Sequence, residues 1–580
     1  MVVSRLLLFA AALAPGAVQA KCQVGRLAEL NVTMVGEQPT VEIGINGRPL
    51  RFMVDSGAFS SIISPSTAKE LGLSLSSLPP GFQVRGIGGE SSAWLARVKS
   101  MTLAGIPLHD VPFIVGGSET GPSAGVLGQN VLGVGDVEYD LGHGAIRLLK
   151  SRDCGKLGLA YWAATRPFST LAIEPRSATR PHTIGTVTLN GARVRATFDS
   201  GASGTTLSLA AAARAGVRPD SPGVVPGTAI GGFGKRLVKT WIAPFDVIDI
   251  GGEQLHHVKL RIGDIGLDNT DMLIGIDFFL SHRIYVANAQ QKMFFTYEGG
   301  PLFNIAPKRV VDSTGAVLAL PAEAEPTDAD GLSRRGMAFA ARNEWQKADA
   351  DLSRAIALAP ANGHYYYQRA TIRMRERQPG AAHDDLDRAL ELAPDDAEAL
   401  MMRARLRLMA HDRPAASGDI AAVDRLLPAA SDLRLALGVL YGEIDAYERA
   451  IAQFDGWLHI HPEDNRKPEA LNSRAWFRAL ANKELPAALS DVDAALRSRR
   501  DNPSFRDTRG LVRLRMGDYA QAVADYTAGI ATAPKSAWSL YGRAVAERHL
   551  GQEKAAAADT AAALAIAPHI DERFRALGIN

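Results

Sequence analysis

Two stretches of the sequence decide the fold: FMVDSGA at residues 52–58 and ATFDSGA at residues 196–202. In each stretch apolar residues alternate up to an aspartate, which is the pattern of a β-strand with one buried face. An Asn-Gly pair lies nine residues before each aspartate, Asp55 and Asp199, and predicts a hairpin turn ahead of the strand. Each aspartate is therefore expected to end a strand, in two copies of one local arrangement.

The same landmarks follow both aspartates in the same order. Ile-Gly-Gly occurs at residues 87–89 and again at 230–232, and a segment of two apolar residues and a glycine closes each copy at 126–128 and 273–275. Matching landmarks at near-equal spacing indicate an internal duplication. The first 300 residues are thus predicted to hold two copies of one β-rich module. The expected bounds are residues 21–160 for the first copy and 161–300 for the second.

The repeated aspartate suggests chemistry because a carboxylate that ends a buried strand is costly unless it is neutralised or used. A single Asp-Ser-Gly is an ordinary turn sequence, but two copies in matching modules favour pairing. If the modules pack about a pseudo-twofold axis, two carboxylates share one proton and their apparent pKa values split. One carboxylate can then act as general base on a water while the other, protonated, polarises a carbonyl. This chemistry needs no cofactor and no metal, and His182, His256 and His257 lack the spacing of metal ligands.

The two segments resemble the retropepsin-like aspartyl proteases of the pepsin clan. The shared motif is an apolar strand, Asp-Thr/Ser-Gly-Ala, a Ser or Thr three places beyond the alanine, and a later apolar-apolar-Gly segment. Residues 125–132, GVLGQNVL, are similar to the segment that supports the active-site loop in retropepsins. The resemblance covers about residues 30–300. Because both halves stand in tandem in one chain, it implies an endopeptidase with an internal dimer and a monomeric active form.

The resemblance also implies a role for individual residues. Asp55 and Asp199 would form the catalytic pair, Ser56 and Ser200 would hold the two loops together, and the glycines would allow the tight turns. The other predicted residues are Gly57, Ala58, Gly201, Ala202, Gly128 and Gly275 as loop support, and Gly88, Gly89, Gly231 and Gly232 as flap tips that close over an extended peptide.

The N-terminus and the two cysteines suggest an exported protein. Residues 1–20 have the layout of a secretory signal, with Arg5, a short apolar run and small residues before the expected cleavage point; a buried N-terminal strand is the alternative. In an oxidising compartment Cys22 and Cys154 would form one disulfide, although two unpaired buried thiols remain an alternative. A periplasmic or secreted location is therefore expected.

Beyond a proline-rich linker at residues 301–327, the periodicity becomes helical. Prolines recur every 34 residues at positions 360, 394, 428 and 462, and small residues keep the same register before them. A 34-residue unit of this kind is the tetratricopeptide (TPR) signature. Residues 328–568 are predicted to form about seven repeats, which present a groove for a protein partner. Residues 569–580 are expected to form a capping helix.

These patterns combine into one predicted architecture, all-β tandem retropepsin-like modules followed by an all-α TPR solenoid. No segment after residue 20 is apolar enough to predict a membrane span, and the net charge of +2 gives no reason to expect nucleic acid as a partner. The main functional hypothesis is an aspartic endopeptidase with a protein-binding arm. Two alternatives stay open, a non-catalytic peptide-binding scaffold and a protease that is active only as an intermolecular dimer.

Overall fold

The computed structural model describes residues 22–580 apart from ten short positions and segments. The residues outside the description are 1–21, 80–83, 118–122, 165, 178–179, 235, 267–269, 304, 306–310, 313–325 and 463. The predicted secretory signal and most of the predicted linker therefore lie outside the described residues.

The first half of the chain is built almost entirely of strands. Those of its first part are β1 (Gln23–Asn31), β2 (Thr33–Val35), β3 (Gln38–Ile45), β4 (Arg48–Val54), β5 (Ile62–Ile63), β6 (Leu75–Ser77), β7 (Arg85–Gly86), β8 (Gly89–Glu90), β9 (Ala93–Leu103), β10 (Ile106–Gly116), β11 (Gly125–Leu127), β12 (Asp136–Asp140) and β13 (Ala145–Arg152), with short helices α1 (Pro65–Glu70) and α2 (Gln129–Leu132). Those of its second part are β14 (Ser169–Ala172), β15 (Ile184–Leu189), β16 (Ala192–Phe198), β17 (Thr206–Ser208), β18 (Val225–Pro226), β19 (Thr240–Ile250), β20 (Glu253–Gly263), β21 (Met272–Ile274), β22 (His282–Ala287), β23 (Lys292–Tyr297) and β24 (Val311–Asp312), with helices α3 (Leu209–Arg214) and α4 (Ile276–Ser281).

Two eight-stranded sheets repeat the same topology and define two β-domains. The first has the order β2-β3-β4-β11-β5-β10-β9-β6, and the second has the order β18-β19-β15-β16-β21-β17-β20-β24. In both, a hairpin leads to the aspartate and a short parallel strand lies beside it, β11 beside β4 and β21 beside β16. The Asn-Gly turns occur as predicted, since Asn46 and Asn190 have φ of 50° and 48° and the glycines after them are also left-handed.

A third sheet joins the two β-domains. Its order is β1-β13-β12-β22-β23-β14, and its centre is the antiparallel pairing of β12 from the first domain with β22 from the second. The buried carboxylate of Glu138 on β12 is held there by Arg147 and Arg283, each 2.6 Å away. Because Arg283 lies on β22, this ion pair crosses between the domains, and its buried charges are compensated. The sheet therefore fixes the two domains as one unit.

The second half of the chain is helical. Its helices are α5 (Ala329–Ala341), α6 (Trp345–Leu358), α7 (Gly363–Arg375), α8 (Pro379–Leu392), α9 (Ala397–Met409), α10 (Arg413–Leu426), α11 (Leu433–Glu443), α12 (Tyr447–Ile460), α13 (Lys467–Leu480), α14 (Leu485–Ser498), α15 (Pro503–Met516), α16 (Tyr519–Ile530), α17 (Ala537–His549), α18 (Glu553–Ile566) and α19 (Ile570–Ala576). The predicted fold class, all-β followed by all-α, is confirmed.

The helices from α5 to α18 form seven antiparallel pairs, and six of the pairs share one polar contact. In each of these an arginine of the first helix makes an ion pair with an aspartate of the second. In the first pair Arg335 and Asp351 are 2.7 Å apart, and both are buried. Small residues at the predicted positions, such as Ala348 and Ala355, are fully buried between the helices. Among the described residues, every helix is too short or too polar to cross a bilayer.

The helical array packs against the β-domains at its start. Arg342, which follows α5, donates Nη1 to the carbonyl oxygens of Leu280 and Gly299 at 3.4 and 3.3 Å. Further along, Arg51 on β4 lies 3.4 Å from the carboxylate of Glu398 on α9. The array is therefore in direct contact with the domains that carry the aspartates.

Candidate active site

Asp55 and Asp199 occupy equivalent places, each directly after a central strand. The amide of Asp55 donates to Leu127 O at 3.0 Å and the amide of Asp199 donates to Ile274 O at 2.9 Å. The parallel strands β11 and β21 thus continue their pairing to the first residue of each loop. These bonds fix where each aspartate leaves its sheet.

Within each loop the aspartate accepts two backbone hydrogen bonds. Asp55 Oδ1 accepts from the amides of Gly57 and Ala58 at 2.7 and 2.9 Å. Asp199 Oδ1 accepts from the corresponding amides of Gly201 and Ala202, at 2.9 and 3.2 Å. One oxygen of each carboxylate is therefore held by the chain, which leaves the other oxygen for the opposite aspartate or a substrate.

Ser56 and Ser200 connect the two loops by four reciprocal hydrogen bonds. Ser56 Oγ donates to Phe198 O at 2.8 Å and accepts from the Ser200 amide at 2.9 Å. Ser200 Oγ donates to Val54 O and accepts from the Ser56 amide, both at 3.0 Å. Both side chains are buried, so every one of these polar atoms depends on its partner across the interface.

The two carboxylates lie against each other. A Cβ atom added to Gly57 would fall 2.5 Å from both oxygens of Asp199, and one added to Gly201 would fall 2.6 Å from Asp55 Oδ2. Burial, the negative charge of Asp199 and a hydrogen bond to that carboxylate raise the pKa of Asp55 well above its usual range. Two like charges in such close contact disfavour the ionisation of both carboxylates at once.

The predicted support glycines, Gly128 and Gly275, pack closely against the backbone of the aspartate loop in their own domains. A Cβ on Gly128 would fall 2.5 Å from Ser60 O, and one on Gly275 would fall 2.5 Å from the carbonyl carbon of Gly204. The Gly128 amide donates to Ser61 Oγ and the Gly275 amide to Thr205 Oγ1, each at 3.0 Å. Only glycine allows these segments to approach so closely, and this approach supports each active-site loop from behind.

The two halves differ at one supporting position that sequence patterns did not single out. In the first domain Gln129 Nε2 donates to Ser56 O at 2.7 Å, and its Oε1 accepts from Arg176 at 2.8 Å. The equivalent residue of the second domain, directly after Gly275, is the buried apolar Ile276. The two loops therefore stand in different environments, and the loop of Asp55 has the more polar support.

His182 is a second residue that the sequence patterns did not place at the site, because they showed only that it lacks the spacing of a metal ligand. The structure places it beside the site, near the backbone of Gly57 and the charge of Asp199. Burial lowers the pKa of His182, which favours the neutral imidazole. Its position follows from the register of the β15–β16 hairpin. Phe198 N donates to Thr183 O, so His182, one residue before Thr183, lies opposite Asp199. Counting back from the Asn-Gly turn could have found it.

The two predicted flap segments contact each other. The first is the hairpin β7–β8, whose turn places Gly88 and Gly89 at φ of 88° and 105°. The Gly234 amide donates to Ile87 O at 3.0 Å, and a Cβ on Gly232 would fall 2.9 Å from Ile87 Cβ. Gly231 lies instead near Leu237 and Asn465, the latter from the helical array. The flap contact therefore involves one tip from each domain and has the helical array nearby.

The cysteines lie away from the paired aspartates. Cys22, just before β1, forms a disulfide with Cys154, just after β13. Since β1 and β13 are neighbours in the joining sheet, the bridge ties the first residues of the described chain to that sheet. Among the described residues, no three His, Cys, Asp or Glu side chains converge as they would around a metal ion.

Comparison with known families agrees with this geometry. The family model described as aspartyl protease matches residues 41–131 and again residues 185–278, so each match contains one Asp-Ser-Gly-Ala loop. Each β-domain therefore matches the aspartyl protease family. The tetratricopeptide repeat model matches residues 508–569, and repeats of this family imply interaction with other proteins. No curated protein matches the sequence.

Several solved structures are similar to part of the chain. A tetratricopeptide repeat protein from Parabacteroides merdae is 18% identical, with 43% of this chain and 99% of that chain covered and a TM-score of 0.35. PilF of Pseudomonas aeruginosa is 17% identical, with 36% and 92% covered and a TM-score of 0.28. The APC/C hetero-tetramer Cut9–Hcn1 is 15% identical, with 38% of this chain and 42% of that chain covered and a TM-score of 0.32.

Removal of either serine hydroxyl is expected to weaken the contact between the aspartyl protease domains. Ser56→Ala or Ser200→Ala leaves a buried amide and a buried carbonyl unpaired, which costs about 1–3 kcal/mol of unfolding free energy for each unsatisfied group. Urea unfolding followed by tryptophan fluorescence measures the loss. Ser→Thr at the same position keeps the hydroxyl and is expected to recover most of it. Equal stability of the alanine variant and the wild type would contradict the hydrogen bonds described.

Proposed function

We propose that the chain is an aspartic endopeptidase that hydrolyses peptide bonds with a water activated by Asp55 and Asp199. The observation that carries the proposal is the contact of these two carboxylates, one from each aspartyl protease domain, at a junction held by four reciprocal serine hydrogen bonds. Both aspartates belong to one chain, which supports a site that works in a monomer.

The shared proton assigns different tasks to the two carboxylates. Asp55 carries the proton at the start, since its pKa is raised by burial and by Asp199, and Asp199 acts as the base. Asp199 removes a proton from water as the water oxygen adds to the peptide carbonyl carbon, and Asp55 gives its proton to the carbonyl oxygen. When the C–N bond breaks, Asp199 passes its proton to the leaving nitrogen and Asp55 recovers a proton from the hydroxyl. The dyad is thereby restored.

The surroundings of the dyad favour an extended peptide as substrate. The flap segments offer backbone groups, such as those of Ile87 and Gly88, that could bind a substrate strand once their mutual bonds open. Such recognition depends on main-chain hydrogen bonds and tolerates different side chains. We also propose that the enzyme is exported, to the periplasm or outside the cell. The disulfide supports this because such bonds persist in oxidising compartments.

The first experiment measures cleavage of a diverse peptide library by the full chain from acidic to neutral pH, with and without a pepstatin-type inhibitor. Cleavage that the inhibitor blocks and that a metal chelator leaves unchanged is the expected result. Binding of library peptides without any cleavage across the pH range would contradict the proposal and favour the non-catalytic scaffold.

The raised pKa of Asp55 predicts how stability depends on pH. Between the ordinary aspartate pKa of about 4 and the raised value, the folded state holds a proton that the unfolded state has lost. Stability therefore falls as the pH rises through this window. Asparagine cannot ionise, so Asp55→Asn is expected to gain stability relative to the wild type at pH 7 and to gain nothing at pH 3.

Thermal unfolding of both proteins from pH 3 to pH 8 measures this difference. Asp246→Asn is the matched control, because Asp246 is an exposed aspartate of the second domain, and its difference from the wild type is expected to stay constant with pH. A pH-independent difference for Asp55→Asn would contradict the close contact of the two carboxylates.

A further inference from the structure

The last eleven residues of the chain do more than cover the end of the helical array. Helix α19 has only seven residues, which is far too short to be stable by itself. Nevertheless Phe574 is fully buried and Ile579 is 5% exposed. The segment 570–580, called here the C-terminal tail, is therefore held in place by other parts of the array.

The tail lies on the inner layer of the array. The first helices of consecutive pairs pack on each other, α13 on α15 and α15 on α17, so they line the more tightly curved side. Phe574 contacts two aromatic residues of α17, with ring centroids 4.5 Å from Trp538 and 4.7 Å from Tyr541. Trp538 in turn lies 5.0 Å from Trp476 on α13. The Phe574 ring thus inserts into an aromatic site built by the inner helices.

The residue before Phe574 reaches across to a distant repeat. Arg573 Nη2 lies 2.6 Å from Asp445 Oδ1 and 2.8 Å from the hydroxyl of Tyr447. Asp445 lies in the turn between α11 and α12, three helix pairs before α17. Hydrogen bonds from Arg573 hold the pKa of Asp445 well below its usual range, against the effect of burial. One short segment therefore connects the fourth helix pair with the seventh, across the inner face.

The end of the tail is also held by side chains of the inner helices. Arg515 on α15 donates to the carbonyl oxygens of Leu577 and Gly578 at 2.6 and 3.2 Å. His549 of α17 lies 3.0 Å from the carbonyl oxygen of Asn580. When side chains of a groove donate hydrogen bonds to the backbone carbonyls of a peptide, the groove can bind that peptide with little dependence on its sequence. The tail is bound as a peptide ligand would be.

The groove also contains polar groups that form no hydrogen bond with the tail. Trp538 Nε1 and Asn472 Oδ1 are buried and have no hydrogen-bond partner among the described residues. Asn472 lies one turn before Trp476 on α13, on the same side of the helix. Burial raises the pKa of Asp507 on α15 to about 6, and its carboxylate accepts a hydrogen bond from Ser539, the neighbour of Trp538. A buried donor and acceptor without partners are costly, and a fuller ligand could satisfy them.

We propose that the C-terminal tail is an internal ligand of the TPR groove, and that the external partner is a peptide segment with a basic residue directly before an aromatic one. Such a segment would place its cation on Asp445 and Tyr447 and its ring against Trp538 and Tyr541, and would displace the tail. The tail competes well only because it is tethered, which gives it a high effective concentration. The proposal rests on the protein-binding role of the repeats and is independent of catalysis by the aspartates.

The test uses the full-length chain and a fluorescein-labelled peptide of residues 568–580, PHIDERFRALGIN. In the Arg573→Ala/Phe574→Ala variant the tail loses both anchors, so the peptide is expected to bind by anisotropy at least about tenfold more tightly than to the wild type. Arg575→Ala is the matched control, because Arg575 is 63% exposed and, among the described residues, forms its ion pair with Asp571 of the same helix. It is expected to bind the peptide as weakly as the wild type.

Two further measurements keep the result decisive. Arg573→Ala alone changes a partly exposed side chain and so preserves the buried aromatic site. Its affinity for the labelled peptide is expected to rise above that of the wild type, by less than in the double variant. A peptide with alanine in place of both anchors is expected to bind none of the variants. Equal affinity of the peptide for the wild type, Arg573→Ala and the double variant, or equal binding of the alanine peptide, would overturn the proposal.

Discussion

Asp55→Asn and Asp199→Asn are each expected to lower kcat/KM for peptide cleavage at least about a thousandfold. The dyad needs one carboxylate to accept a proton from water and another to donate one to the carbonyl. An asparagine at either position can neither accept nor donate that proton, so the pair no longer shares a proton. Since the two residues act as a unit, the double variant is expected to be no worse than either single variant.

The control for this prediction is Asp246→Asn, an exposed aspartate in the second aspartyl protease domain, which is expected to keep full activity. Steady-state cleavage of one peptide identified from the library gives the numbers. If one of the two single variants kept about half of the activity, each domain would instead pair with its twin in another chain, and the intramolecular dyad would be wrong.

Gly57→Ala and Gly201→Ala are expected to reduce activity by more than about a hundredfold while the helical array stays folded. A Cβ at either position would fall 2.5–2.6 Å from oxygens of the opposite aspartate. No carbon can remain so close, so the carboxylates must move apart and lose the shared proton. A misplacement of about 1 Å in such a site is enough for a loss of this size.

Gly204→Ala is the matched control within the same loop. Among the described residues, a Cβ on Gly204 would come within 4 Å of the guanidinium of Arg261 alone, at 3.8 Å, so activity is expected to stay within about twofold of the wild type. The pH profile distinguishes the causes, because separated carboxylates titrate closer to the ordinary aspartate pKa. A Gly57→Ala variant with wild-type kcat/KM and pH profile would contradict the contact of the two carboxylates.

The sequence predicted those parts of the fold that local patterns encode. The Asn-Gly turns and the strands that lead to Asp55 and Asp199 each depend on a few neighbouring residues, and the prolines spaced 34 residues apart repeat one local signal that ends a helix. The sheet that joins the domains could not be predicted, because the pairing of β12 with β22 connects residues far apart in the chain and both strands are buried on two faces. No periodicity specifies such a partner.

The residues near the site that local patterns do not reveal also depend on contacts between distant segments. Gln129 and Arg176 act through contacts between segments that lie apart in the sequence, and one of the two halves lacks them, so comparison of the repeats gave no signal. The C-terminal tail was expected to cap the array. Its polar composition fits that expectation. Only the tertiary contacts of Arg573 and Phe574 show that the tail lies on the inner face of the helical array.

The most direct test of the central claim mixes the two inactive variants. Asp55→Asn and Asp199→Asn chains are purified, combined in equal amounts through unfolding and refolding, and separated by size. Cleavage and mass are then measured on each fraction. An intramolecular dyad predicts that the wild type cleaves peptide in its monomer fraction and that the mixture stays inactive in every fraction. Recovery of activity in a dimer fraction of the mixture would contradict it, because a site built from Asp55 of one chain and Asp199 of another would then exist.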